Sequence, residues 1–218
     1  MLNLVERRMQ CSVDTAKQEP GGAKRSPGRP RSEPARQAIL RSTLKLLEQV
    51  GFAELTIEAI AADADVGKTT VYRWWRKKAT LVADAFSSSA DQELRFPDTG
   101  FVRSDMSLQM KQLVKVLRGR RGRIVAALIG GGQSDPELIE AFRSRFIRPR
   151  RREAYAILHR GIDRGQLPSD LDMDMVLDSL YGPLYFRFLI GHDKLTEDYV
   201  DQVCGIVLNS LTVRMERR

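Results

Sequence analysis

Apolar residues recur at helical spacing in segment after segment of this 218-residue chain, and no strand-like alternation appears after the Pro/Gly break at residues 96–100. That periodicity confines the chain to an all-α fold. Ser32-Glu33-Pro34 supplies an N-cap with proline in the first turn, and Ile39, Leu40, Leu44, Leu47 and Val50 follow on one face. The spacing predicts a helix over 33–50, stopped by Gly51. Thr56 can cap a second helix whose apolar face, Ile57, Ile60, Ala61 and Ala64, lasts barely two turns. A break at Asp65-Val66-Gly67 precedes a short third helix, 68–75, in which Val71 and Trp75 stand four apart and can both face a core. Two short helices joined by a tight turn containing glycine are the layout of a helix-turn-helix. A fourth helix is expected over 77–94, with Leu81, Val82, Ala85 and Phe86 inward.

Three regions follow. Residues 1–32 carry Pro20, Gly21, Gly22, Pro27, Gly28 and Pro30 among scattered charges, the composition of a flexible basic arm. Residues 33–95 form a small N-terminal helical domain, with the helix-turn-helix at about 56–75. Residues 101–218 form a larger helical domain, with helices expected at about 104–117, 121–129, 135–164, 172–190 and 196–215. The third of these contains Pro149 and must be kinked or split there.

Charge and motif content narrow the function. Thirty-six Lys and Arg against 28 Asp and Glu leave a net charge of +8, which favours a polyanionic partner. The longest apolar run, Ile124 to Ile129, falls far short of the roughly 20 residues of a spanning helix. Met1 to Gln10 is charged where an export signal needs its apolar stretch, so a cytoplasmic location is expected, with no membrane partner. Cys11 and Cys204 make neither a disulfide framework nor a metal cluster, and His159 and His192 are isolated. Neither H-E-x-x-H nor G-x-S-x-G occurs. No catalytic residue, metal or cofactor is expected.

Gly67-Lys68-Thr69-Thr70 ends like a phosphate-binding loop, but Ala62 stands where that loop needs its first glycine and no buried strand precedes it. The four residues fit better at the front of a recognition helix. There the free N–H groups and Lys68 meet a DNA phosphate, and Thr69 and Thr70 allow close approach to the groove. Tyr72 and Arg73 extend toward phosphates or base edges, Arg being the more specific reader through its fit to guanine. A solvated charged helix is the bland alternative on composition alone. Trp75 belongs to the core; Trp74, 100° away, is either exposed against a sugar or thymine methyl, or semi-buried.

Thr56-Ile57-Glu58-Ala59-Ile60-Ala61, Val66-Gly67-Lys68-Thr69-Thr70-Val71-Tyr72-Arg73-Trp74-Trp75 and then Lys77-Lys78 and Leu81 resemble the DNA-binding domain of the TetR family of bacterial transcriptional repressors. The likeness covers about 34–94. It implies that the helix opening at Thr56 touches the DNA backbone, that the helix holding Lys68 to Trp74 enters the major groove, and that Tyr72 contacts the backbone. Arg76 stands where the family often has proline, a possible further phosphate contact beside Lys77. Pro27-Gly28-Arg29-Pro30-Arg31 resembles the Gly-Arg-Pro core of minor-groove AT-hooks, which adds Arg29 and Arg31 to the expected DNA-binding set.

One such module makes too few base contacts for selectivity over a genome, so a homodimer on double-stranded operator DNA is expected. The last two helices carry more apolar surface than one internal seam requires, including Met175, Tyr181, Phe188, Tyr199, Ile206 and Leu211. They are the expected dimer contact, as the resemblance also implies. Arg148 to Arg152, Arg160 to Leu167 and Gly182 to Arg187 look like a common C-terminal subtype of the family. The basic run within them reads as a solvated helix face rather than a second phosphate site. Phe142, Phe146, Tyr155, Tyr181 and Tyr185 are placed to line an apolar cavity for an unknown small-molecule effector, with ordinary core as the alternative for each. Arg187, between Phe186 and Phe188, must snorkel, pair with an acid such as Asp178 or one across a dimer, or face an anionic ligand. The resulting expectation is a repressor released from a palindromic operator by that effector. The alternative is a helical small-molecule-binding protein or enzyme whose N-terminal domain does not read DNA.

Overall fold

Every regular element described in the computed structural model, which covers residues 32–90 and 93–215 with side chains through Leu211, is helical. Helix α1 spans Glu33–Glu54, α2 Ile57–Asp63, α3 Lys68–Trp74 and α4 Lys78–Ala90. Then come α5 Val102–Arg118, α6 Arg120–Gly132, α7 Pro136–Phe142, α8 Arg148–Asp163, α9 Met173–Ile190 and α10 Glu197–Met215. A π-helical turn, Arg143–Ile147, joins α7 to α8.

Both caps expected from sequence are made: Ser32 Oγ accepts from the Ala35 amide at 3.5 Å and Thr56 Oγ1 from Ala59 at 3.1 Å. Two aspartates cap as well, Asp172 Oδ1 accepting from Met175 at 3.0 Å. Asp135 Oδ1 takes both the Glu137 and Leu138 amides at 3.0 Å, and each cap of this kind stabilises its helix by about 1 kcal/mol. Two breaks fall where expected and one helix is shorter than expected. Gly51 takes φ 76° and ψ 176°, outside the helical region, so the regular run of α1 breaks there and one more turn follows to Glu54. Lys77 lies outside α4, whose described extent, Lys78–Ala90, falls short of Leu94. The segment predicted over 135–164 is split as Pro149 requires, with the π-helical turn ending two residues before that proline, which has no amide hydrogen to continue the regular ladder.

The break at 96–100 is a folded connection. Thr99 donates its amide and hydroxyl to Oδ1 of the buried Asp105, both at 2.7 Å, which fixes the loop to the first turn of α5. Helix α1 packs on α4 and α6, and α4 on α7 and the π-helical turn, so residues from Ser32 onward make one compact unit with a continuous core. At its centre Phe86 of α4 meets Phe146 edge-on at 4.8 Å, and Phe146 stacks on Phe142 at 5.4 Å. Helices α5, α8, α9 and α10 complete the other end. Among the described residues no helix is long and apolar enough to cross a membrane, and no group of three or more His, Cys, Asp or Glu is placed to hold a metal.

Candidate nucleic-acid interface and the cavity behind it

Helix α3 has two turns and therefore no stability of its own; two inward residues hold it. Val71 is fully buried and Trp75, the residue that ends the helix, is 3% exposed. Val66 N–H donates to Ala61 O at 2.9 Å across the turn, in which the left-handed residue is Asp65, φ 51°, while Gly67 is extended and serves as the N-cap of α3. Asp tolerates that conformation better than most side chains, so the turn closes without using the glycine for it.

With Val71 and Trp75 turned inward, Lys68, Thr69, Tyr72 and Arg73 are exposed on one continuous surface. Tyr72 is 49% exposed, unusual for an aromatic residue between core anchors. Thr70 is half-buried at the edge of this surface. Lys68 Nζ lies 2.9 Å from Glu58 Oε1, an ion pair across the helix-turn-helix. Its hydrogen bond holds the Glu58 carboxyl below the ordinary carboxylate range. Lys77 is exposed and pairs with Glu137 of α7, so its charge is already engaged by the larger half of the molecule. Thr56 is exposed at the head of α2, its side chain occupied in capping.

Trp74 is half-buried, packed against the core with its ring centroid 6.0 Å from that of Trp75. This placement fits the semi-buried one of its two readings, and Arg36 of α1 lies beside it. The Arg36 guanidinium lies 5.7 Å from the Trp74 ring centre and 5.8 Å from that of Trp75, near enough for a cation–π contact with both. Sequence spacing gave no sign of this contact, because it joins residues nearly forty apart. The same is true of Lys78, whose ammonium donates to Phe52 O at 2.8 Å and Leu55 O at 2.9 Å and so closes the end of α1. Arg29 and Arg31 lie outside the described residues, as does Cys11.

A cavity of about 250 Å³ opens between α5, α8 and α9. Phe146, Tyr181 and Tyr185 line it, as expected; Phe142 and Tyr155 do not. Phe142 is 2% exposed within the Phe86–Phe146 cluster, and the Tyr155 hydroxyl is drawn away to Asp174. Leu94, Phe96, Leu113 and Ile147 supply further apolar wall. Polar groups gather at one part of the lining: Gln109, Arg150, Arg151 and Asp178. Tyr181 donates to Gln109 Oε1. Burial pushes the Tyr181 phenol up, and that of Tyr185 to about 12, so both remain neutral hydrogen-bonding groups at physiological pH.

The basic run 148–152 is not simply a solvated face. Arg151 pairs with Asp178 at 2.6 Å and with Asp174, clasping α8 to α9, and Arg148 pairs with Glu140 at 2.7 Å. Arg150 donates to Leu94 O and lies over the Phe96 and Phe146 rings. Arg187 pairs not with Asp178 but with Asp193 at 3.2 Å, with Lys194 O at 3.0 Å and the Tyr199 ring 3.5 Å away. On α9 and α10 a set of large apolar residues stays uncovered, Met175, Phe186, Leu189, Ile190 and Ile206, the last 75% exposed.

Comparison with known proteins agrees with this geometry. The family model described as "Bacterial regulatory proteins, tetR family" matches residues 39–85, and that described as "Tetracyclin repressor-like, C-terminal domain" matches residues 96–207. The HTH-type transcriptional regulator YdeS of Bacillus subtilis (strain 168) is 40% identical over 173 residues, covering 79% of this chain and 87% of its own. The DNA-binding transcriptional repressor TetR of Mycobacteroides abscessus is 29% identical over 181 residues, 82% of this chain and 94% of its own. The crystal structure of the TetR family transcription regulator SCO0332 superposes with a TM-score of 0.72 at 34% identity, over 81% of this chain and 98% of that one. Helix-turn-helix, helical C-terminal half and relatives agree: the chain belongs to the TetR family of DNA-binding transcriptional regulators.

Proposed function

We propose that the chain is a homodimeric repressor that occludes a promoter by holding a palindromic operator, and that a small molecule releases it. The reading domain is 33–95, the regulatory and dimerisation domain 101–218, and the arm 1–32 adds DNA contacts through Arg29 and Arg31. The observation that carries the reading is the outward face of α3: Lys68, Thr69, Tyr72 and Arg73 exposed while Val71 and Trp75 anchor the helix. Thr56, Thr70 and Lys77 flank that face; Trp74 acts by packing.

Two recognition helices must stand about 34–36 Å apart to enter successive major grooves, which needs a fixed pairing of two chains. The uncovered apolar side chains of α9 and α10 support pairing there, since exposed groups of this kind mark association surfaces. The cavity supports a small, largely apolar effector with one polar group directed at Gln109 and the Arg150–Arg151–Asp178 cluster. An effector acts only through different affinities for the DNA-competent and released arrangements. No covalent step is involved.

Selection of bound sequences from random duplex DNA at near-physiological salt tests the reading, with Tyr72→Ala run alongside. Enrichment of a palindrome by the native chain and its loss in the variant are expected. Purely unselective, salt-sensitive binding by both would remove the repressor reading and leave a helical small-molecule-binding protein.

A further inference from the structure

The π-helical turn 143–147 faces two ways. Phe146 lines the cavity, whereas its neighbour Arg145 reaches the reading domain, its Nε 3.5 Å from Oδ1 of Asp84 in α4. The other oxygen of the same carboxylate, Oδ2, accepts the indole Nε1–H of Trp75 at 2.7 Å. Trp75 terminates the recognition helix, three residues after Tyr72 and two after Arg73. One carboxylate thus joins the helix that reads DNA to the wall of the cavity. Asp84 is mostly shielded, its side chain 18% exposed, whereas Arg145 is half exposed, so the indole bond is the less screened of the two contacts.

From this geometry we infer that Asp84 is a positioning residue for the recognition helix, and that the cavity controls its grip through Arg145. The inference rests on the effector reading above. Phe146 is wedged edge-on against Phe86 of α4, two residues from Asp84. A molecule entering the cavity presses on a ring already held between Phe86 and Phe142, so displacement of Phe146 is passed in part to the turn that carries Arg145. Close-packed interiors switch between discrete arrangements rather than deform smoothly, and π-helical turns are frequent where helices change state. Loss of the Arg145 contact leaves the Asp84 carboxylate with the indole alone, and the C-terminal end of α3 gains freedom where Tyr72 and Arg73 depart from it. Proximity by itself does not establish coupling, so the test is a cycle.

The chain has two tryptophans, which makes the indole N–H resonances of 15N-labelled protein a direct report on the Asp84 contact. Gly182 lines the cavity at an exposed position and a Cβ there would meet nothing within 4 Å, so Gly182→Leu adds bulk at the cavity mouth. Gly182→Met is the second choice if circular dichroism or sedimentation shows a changed fold or assembly. Operator affinity and the Trp75 indole resonance are measured for the native chain, Gly182→Leu, Arg145→Gln and the double variant. The expected result is a shifted indole resonance and about fivefold weaker operator binding in Gly182→Leu, with most of that effect absent in the Arg145→Gln background. Asp84→Asn, which keeps an oxygen for the indole but loses the charge for Arg145, reproduces the Arg145→Gln behaviour. Equal weakening by Gly182→Leu with and without Arg145 would overturn the relay while sparing the effector site. No effect of this added bulk on operator binding in the native background would overturn both.

Discussion

The DNA-facing surface and the cavity are built on opposite terms. On α3 Lys68, Thr69, Tyr72 and Arg73 are exposed and lie outside the core, on a helix held by two buried neighbours. Around the cavity the assigned residues are themselves the packing: Phe146 belongs to the central aromatic cluster, and Tyr181 bonds to the buried Gln109. Specificity for DNA is therefore separable from stability, whereas specificity for an effector is not. Substitutions at the two sites should differ in kind.

The largest effect is expected at the cavity. Phe146→Ala removes a ring from contact with Phe86 and Phe142 and should cost about 3–5 kcal/mol, read as a lower midpoint in urea unfolding. A loss below 1 kcal/mol would show that the cavity wall is not core and break the contrast. At the uncovered apolar face Ile206→Glu should leave monomer stability within about 0.5 kcal/mol but shift sedimentation from dimer to monomer. An unchanged dimer would move the interface elsewhere.

On the reading surface the changes should appear in affinity alone. Lys68→Ala should weaken operator binding by a few-fold and lower the salt slope by about 0.9, the share of a single neutralised phosphate. Glu58→Gln should act in the opposite direction, since it frees Lys68 from its internal partner. If both variants weaken binding alike, the ion pair is part of the recognition geometry rather than its competitor. The smallest effect concerns acid. Hydrogen bonds from Tyr155 and Arg151 hold the Asp174 carboxyl below its ordinary value. A group whose folded value is lowered contributes stability above its unfolded value and loses it as pH falls through the folded one. The α8–α9 clasp should therefore be intact at pH 5–8 and weaken below about pH 4, and Asp174→Asn should flatten that part of the stability profile.

Much of the DNA-binding half is legible in the sequence because its signals are local. Thr56 as a cap, Val71 and Trp75 four apart, and the short turn between them are all decided within a few residues. Gly51 is legible for a local reason too: only a glycine takes its left-handed backbone readily, and the regular helix breaks there. The misses in the larger half come from partners distant in sequence. Nothing near Tyr155 says that Asp174 will claim its hydroxyl; Arg187 is the exception, its partner Asp193 standing only six residues on, past the end of α9. The packing roles of Arg36, Asp84 and Lys78 are not legible, because charge in a helix signals solvent until the tertiary partner is known. The aromatic residues that do line the cavity differ from those that do not only in which neighbour reached them first.

The brevity of α3 has a thermal consequence. A seven-residue helix gains its order from the residues beneath it, so the shape presented to the operator is only as rigid as the seat of Val71 and Trp75. Warming that loosens this seat blurs the DNA-reading surface before the aromatic cluster at the centre of the molecule gives way. Grip on the operator should then fade at a lower temperature than the fold, making the recognition helix a thermometer as well as a reader.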